Sequence, residues 1–243
     1  MDALTSTAAS GLRSRMESLD LLANNLANTE TGGYKSDREF YNLYVAPEAN
    51  ADPPVTMPVI ERQWTDFSQG SLRNTGSPLD FALSGKGFFA VDGPGGPLYT
   101  RQGAFHVSPA GLLVTSEGYP VRLAGGGQLQ SQSSAPFEVT PDGTVSQQGQ
   151  VLGKLDLVNF QDSSVLAKRG NNYFRAGDAS AAPVTAADVE VQQGKLEASN
   201  VGTAESAVRL VSVMRQFEML HKAISIGADM NKKAVEEVAR VGS

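Results

Sequence analysis

Two amphipathic stretches at opposite ends of the chain constrain its fold more than any other feature. Between Thr5 and Asn28, Leu12, Leu19 and Leu26 recur every seven residues, with Ala8, Leu22 and Ala23 filling intermediate positions. That spacing sets apolar side chains along one side of an α-helix. The run stops at Asn28-Thr29-Glu30-Thr31-Gly32-Gly33, where Asn and Gly tolerate the left-handed backbone that ends helices. At the other end, Leu210, Phe217, Ile224, Asn231 and Val238 form one seven-residue row, and Val213, Leu220, Gly227, Ala234 and Val241 a second. Two such rows make a coiled-coil seam, in which a polar residue such as Asn231 fixes register at some cost in stability. Thr203 can cap this helix, and Glu205 suits the positive end of its dipole.

The middle of the chain carries a different period. Phe88-Phe89-Ala90-Val91 precedes Asp92-Gly93-Pro94-Gly95-Gly96, Leu112 to Thr115 precedes Glu117-Gly118, and Val139-Thr140 precedes Pro141-Asp142-Gly143. Short apolar runs closed by such turns read as antiparallel strands and hairpins. Leu155 to Phe160 alternates like a half-buried strand, and Asn171 to Phe174 can begin another. Asn50 to Pro58 and Ala176 to Pro183 have the composition of flexible connections. The expected architecture is a mainly β central domain with N- and C-terminal α-helices that pair as a coiled coil, an α+β chain with a discontinuous helical domain. Its segments are an N-terminal helix over 1–33, an extended linker over 34–76, a β-rich domain over 77–194 and a C-terminal helix over 195–243.

Composition excludes several functions. A net charge of −6 repels the nucleic-acid backbone, and with no dense basic cluster to override it no nucleic-acid partner is expected. There is no cysteine, so thiolate nucleophiles and disulfides are out, and His106 and His221 stand far apart with no ligand-like spacing. Gly85-Lys86-Gly87 lacks the first glycine of a phosphate loop. No catalytic, cofactor or metal residues are therefore assigned, and an enzyme is not expected. No apolar run reaches the roughly 20 residues of a transmembrane helix, and the start Met1-Asp2-Ala3-Leu4 has no basic region of the kind that opens a cleavable signal.

An isolated helix is marginal in water, so both apolar stripes need partner surfaces. Each fully buried Leu, Ile, Phe or Val contributes about 1.5–3 kcal/mol. A two-helix rod is too thin to bury all of Leu210, Val213, Phe217, Leu220 and Ile224, and the excess favours neighbouring copies. Head-to-tail contacts that do not close then generate helical assemblies. The alternative is a monomeric β-domain binding module with core-packed terminal helices.

Four blocks carry a family resemblance. Ala23-Asn24-Asn25-Leu26-Ala27-Asn28-Thr29, continuing through Thr31-Gly32-Gly33-Tyr34-Lys35, resembles the N-terminal signature of bacterial flagellar rod and hook proteins. In the family's order there follow Pro78 to Leu83 with Gly85 to Val91, then Tyr99 to Phe105, then Leu196-Glu197-Ala198-Ser199-Asn200-Val201. Chain length, Ser77 to Asp80 and Arg215 to Met219 are most similar to the proximal rod member, with the distal rod member next. Gly202-Thr203 departs from the Asn-Val pair common in the family. The resemblance implies a structural subunit of the basal-body rod. Its helices would form an inner coiled-coil layer of a periplasmic drive shaft, with export through the flagellar type III apparatus without cleavage. Partners would be copies of itself and other rod proteins. The expected assembly residues are Leu12, Leu19, Leu22, Asn24, Asn25, Leu26, Asn28, Ser199, Asn200, Leu210, Val213, Phe217, Leu220, Ile224, Asn231 and Val238.

Overall fold

The computed structural model describes residues 3–45, 56–170, 172–177 and 182–241, and it is mainly β with one helix near each end. The chain divides into two compact units. One comprises Met1–Ala27, Asp37–Trp64 and Gly202–Ser243, the other Asn28–Ser36 and Thr65–Val201.

The helical unit holds α1 (Ala3–Ala27), α2 (Thr203–Val241) and a two-stranded sheet of β1 (Asp37–Val45) and β2 (Thr56–Thr65). α1 packs against both α2 and β1. Its buried face runs Gly11, Ser14, Ser18, Leu21, Leu22 and Asn25, at the three- and four-residue steps that share a helix side. Gly11, Ser14 and Ser18 are small enough to let α2 come close, and a Cβ placed on Gly11 would stand 3.4 Å from Leu220 Cδ1. At the start of α2 the first intrahelical bond runs from Ser206 N–H to Gly202 O at 2.9 Å. Gly202 thus holds the cap position expected for Thr203, and Glu205 lies in the first turn.

The stretch 34–76, expected as an extended linker, includes β1, β2 and a short strand β3 (Leu72–Asn74). In β1 one charged side chain turns inward: Arg38 and Phe40 are exposed, while the Glu39 side chain is almost fully enclosed. The usual apolar-inward alternation is therefore hidden there. Of the two expected flexible connections, Thr56–Pro58 begins β2 and Ala176 ends a strand; residues 50–55 and 178–181 lie outside the described residues.

The β unit contains β3, β4 (Phe81–Gly85), β5 (Phe88–Gly93) and β6 (Gly96–Thr100). β5 and β6 form an antiparallel hairpin that pairs Val91 with Leu98 and Gly93 with Gly96. Among the described residues the largest sheet orders Leu166–Lys168, Tyr173–Ala176, β6, β5, Leu157–Asn159 and Val184–Thr185. Successive side chains of a strand point to opposite faces, and both faces of β5 are covered. Phe89 and Val91 enter a core with Phe81, Leu83, Leu113 and Leu155. Phe88 and Ala90 enter another with Tyr99, Phe160 and Phe174, where Tyr99 meets Phe160 edge-on at 4.9 Å between ring centroids. The returning chain adds Val189–Gln193 beside β4 and Lys195–Glu197 beside β3, both antiparallel.

Candidate assembly surface and buried charge cluster

In the helical unit, the expected seam and the exposed apolar surface of α2 lie on different sides. Val213 is buried, and Leu210, Phe217, Leu220 and Ile224 are half-buried. Val208 (72% exposed), Met219 (63%), Met230 (66%) and Ile226 (51%) recur at helical spacing on roughly the opposite face. With Val211, Ser212 and Arg215, Val208 and Met219 line an open groove. In α1, Leu22 and Asn25 are buried, Leu12, Leu19 and Leu26 are half-buried, and Asn24 is exposed; Asn28, just past the helix in sequence, is half-buried. The leucine row thus borders the buried face rather than centring it. Asn231 is exposed, and the Val238 side chain lies outside those described.

Glu39 of β1 joins both helices. Its Oε1 accepts a hydrogen bond from Ser18 Oγ at 2.7 Å and pairs with Arg209 Nη2 at 2.9 Å. Asn25 closes a reciprocal pair with β1, its Nδ2 donating to Asp37 O at 2.8 Å and its Oδ1 accepting from Asp37 N–H at 3.0 Å.

The β unit encloses a charge cluster built by three distant segments. Lys35 Nζ donates to Glu197 Oε1 at 2.6 Å and to Ser68 O at 2.6 Å. Glu197 also accepts Gly70 N–H at 2.9 Å and Arg101 Nη1 at 3.1 Å. Arg101 Nη2 donates to Gly85 O at 2.5 Å, and its guanidinium stands 5.5 Å over the Phe88 ring. The Lys35 and Glu197 side chains are wholly enclosed. Burial lowers the Lys35 pKa and the Glu197 carboxylate opposes that shift; Arg101 is lowered by burial against the same partner. Two cations thus meet one carboxylate, with the Ser68 and Gly85 carbonyl oxygens taking further donors, while the buried Arg101 Nε has no hydrogen-bond partner.

Around this cluster the crossings 28–36 and 195–201 run side by side. Gly33 N–H donates to Glu197 O at 2.8 Å, Asn200 N–H to Tyr34 O at 3.3 Å, and Ser36 N–H to Asn200 Oδ1 at 2.8 Å. The Asn200 Nδ2 group donates to Asp66 O at 2.7 Å, and Ser199 Oγ accepts Val201 N–H at 3.2 Å. Of the expected assembly residues, Ser199 and Asn200 therefore hydrogen-bond within the β unit. Lys35, Arg101 and Glu197 fall inside the motif blocks of the family resemblance but carry no spacing that marks them as a cluster, and Glu39 lies in none of those blocks.

Comparison with known proteins accounts for most of the chain. Residues 82–152 match the model described as flagellar hook protein FlgE/F/G D1 domain, and residues 192–237 match flagellar basal body rod FlgEFG protein C-terminal. The flagellar basal-body rod protein FlgF of Caulobacter vibrioides is 36% identical over 227 residues, covering 92% of each chain. FlgF of Mesorhizobium japonicum is 32% identical, covering 82% of this chain and 83% of its own. FlgG of Buchnera aphidicola from Acyrthosiphon pisum is 31% identical, covering 92% and 95%. Proteins of this kind are structural, not enzymatic. At 36% identity along 92% of its length, and with both family models matched, the chain belongs to the flagellar basal-body rod proteins and is FlgF-like.

Proposed function

We propose that the chain polymerises through its terminal helices into the periplasmic rod, with α1 and α2 forming a coiled-coil layer and the rod transmitting torque to the hook and filament. The observation that carries this reading is the exposed apolar stripe of α2. Val208, Met219, Ile226 and Met230 face outward on a helix whose opposite side is already packed. A contiguous apolar surface of this kind is retained where a partner covers it. Neighbours would be other copies and other rod proteins, delivered by the type III export apparatus. Stiffness then arises from repeated buried seams, since close-packed interiors yield little under load.

Sedimentation of the purified full-length chain across a concentration series tests this. Mass should rise with concentration, and loss of residues 203–243 should abolish the rise. A monomer at every concentration, whose helices resist protease as well as its β unit does, would favour the self-contained binding module. No helix among the described residues is long and apolar enough to cross a membrane.

A further inference from the structure

We infer that an open pocket in the β unit is a binding site for an acidic sugar, a carboxylate carried on a hydroxylated ring. The pocket has a volume of about 390 Å³ and is lined by Arg169, Arg175, Glu117, Tyr119, Tyr173 and Leu98. Strand register builds it. Ala167 pairs with Arg175 and Lys168 with Phe174, and the chain then sets Arg169 opposite Tyr173, its N–H donating to Tyr173 O at 2.8 Å. Tyr173 and Arg175 are two positions apart in one strand and share a face of the sheet. On the neighbouring strand Tyr173 pairs with Thr100, which puts Leu98 on that face too. The turn 115–119 supplies a wall: Gly118 N–H donates to Thr115 O at 2.8 Å, and the Tyr119 ring meets the Tyr173 ring edge-on at 5.4 Å between centroids. All of these residues belong to the β unit, so the site stands apart from assembly through the helices.

Two guanidinium groups line this pocket without a carboxylate partner. Arg169 is exposed, and among the described residues its guanidinium takes part in no ion pair or hydrogen bond. Arg175 Nη2 donates to Pro94 O at 2.6 Å, while its Nε is buried with no partner. A buried donor left unmatched is costly, and an anion beside the guanidinium offsets that cost. Planar guanidinium forks match the two oxygens of a carboxylate. Glu117 is the one carboxylate among the lining residues described, and it is engaged elsewhere: its Oε2 accepts from the Tyr173 hydroxyl and, at 3.0 Å, from Ser116 Oγ. Glu117 is exposed, and a carboxylate has lone pairs for further donors. A ligand that satisfies both ends therefore carries an anionic group for the arginines and hydroxyl donors for Glu117. Half-buried Tyr119 and buried Leu98 offer an apolar bed for the C–H surface of its ring. Inorganic phosphate would engage the arginines alone, and an amino acid would bring its ammonium up to two cations. An acidic sugar uses all three features.

Titration of the isotope-labelled full-length chain with methyl β-D-glucuronide, followed by the NMR shifts of backbone amides and arginine Nε–H groups, tests the site. Saturable shifts centred on Arg169, Tyr173, Arg175 and Tyr119 are expected. Methyl β-D-glucoside, which has the ring without the carboxylate, and acetate, which has the carboxylate without the ring, should each bind at least tenfold more weakly. Arg169→Gln should weaken glucuronide binding at least tenfold with the melting temperature unchanged, because that guanidinium holds nothing in the fold. R169K, which keeps the charge but not the fork, should fall between the two. Equal binding of glucoside and glucuronide would remove the arginines from recognition and overturn the inference. Inorganic phosphate binding as tightly as the glucuronide would leave an anion site with no place for a sugar ring, which overturns it too. So would wild-type affinity in R169Q, or no saturable shift at these residues up to the solubility of the probe.

Discussion

Lys35 Nζ lies 2.6 Å from Glu197 Oε1 although 162 positions separate the two residues, and neither side chain is reached by solvent. The contact ties the crossing that follows α1 in sequence to the one that precedes α2. It forms only when both ends of the chain have been made.

Removing one partner of an enclosed ion pair leaves a buried charge uncompensated, at a cost of about 3–5 kcal/mol. Glu197→Gln, which strips both Lys35 and Arg101 of their carboxylate, should therefore lower the stability of the β unit by that amount in urea titrations followed by circular dichroism. The double variant Lys35→Met/Glu197→Gln should recover part of the loss, because one of the two orphaned cations is gone. A single-variant loss below about 1 kcal/mol, the worth of a surface pair, would show that the cluster does not hold the crossings together.

Gly103 stands where no side chain fits. A Cβ there would lie 1.6 Å from Phe81 O, at the point where Phe81 N–H donates to Gly103 O at 2.9 Å. Gly103→Ala must push β4 and the 101–105 segment apart, and a loss of about 3 kcal/mol is expected, at the upper end for overpacking. Gly118 is the control. It has φ +85° and nothing within 4 Å of an added Cβ, so Gly118→Ala should cost only about 1–2 kcal/mol for the left-handed backbone. Equal thermal shifts for the two variants would contradict this reading.

The sequence made the helices and the β5–β6 hairpin legible because each has a local period. Leu12, Leu19 and Leu26 mark α1, and Phe88 to Val91 followed by Asp92 to Gly96 marks a strand and its turn. What period does not reveal is which side faces which neighbour. The centre of the α1 packing face is Gly11, Ser14 and Ser18, residues chosen for smallness rather than hydrophobicity, so the leucine row drew the expected seam to its edge. In α2, Val208, Met219 and Ile226 form a second apolar stripe on roughly the opposite face from the heptad rows. Hydrophobic spacing alone cannot rank two stripes on one helix. The charge cluster was hidden for a different reason: Arg101 and Glu197 lie 96 positions apart and meet only through tertiary pairing.

Alkaline pH should destabilise the β unit through two tyrosines. Burial raises the pKa of Tyr99 and Tyr173 above the ordinary tyrosine value of 10.0, and for Tyr173 the hydrogen bond to Glu117 raises it further. The folded state therefore holds these protons more tightly than the unfolded chain. The resulting stability is fully present below pH 10 and is lost as pH rises through the folded-state values. Glu117 shifts the other way: burial raises its pKa, but hydrogen bonds from Tyr173 and Ser116 outweigh burial and leave it below 4.5. Tyr173→Phe should flatten the alkaline fall in melting temperature and raise the Glu117 pKa in a carbon NMR titration. An alkaline profile identical to wild type would remove Tyr173 from this account.

Asn24 and Asn25 adjoin in sequence but should respond differently to alanine. Asn25 is buried, and its amide both donates to and accepts from the Asp37 backbone at 2.8 and 3.0 Å. Truncating it leaves buried backbone groups at the start of β1 without those partners, a loss of about 1–3 kcal/mol. Asn24 is exposed, so Asn24→Ala should move stability by about 0.5 kcal/mol or less. Amide hydrogen exchange separates the outcomes, since the Asp37 N–H is itself one of the bonded groups. In Asn25→Ala it should exchange at least tenfold faster than in wild type, and in Asn24→Ala at the wild-type rate. If Asn24→Ala is the one that fails to form rods while its monomer exchanges normally, the exposed asparagine acts between copies, and the two neighbours divide the work: Asn25 sets the path from α1 into β1 and Asn24 meets the next subunit.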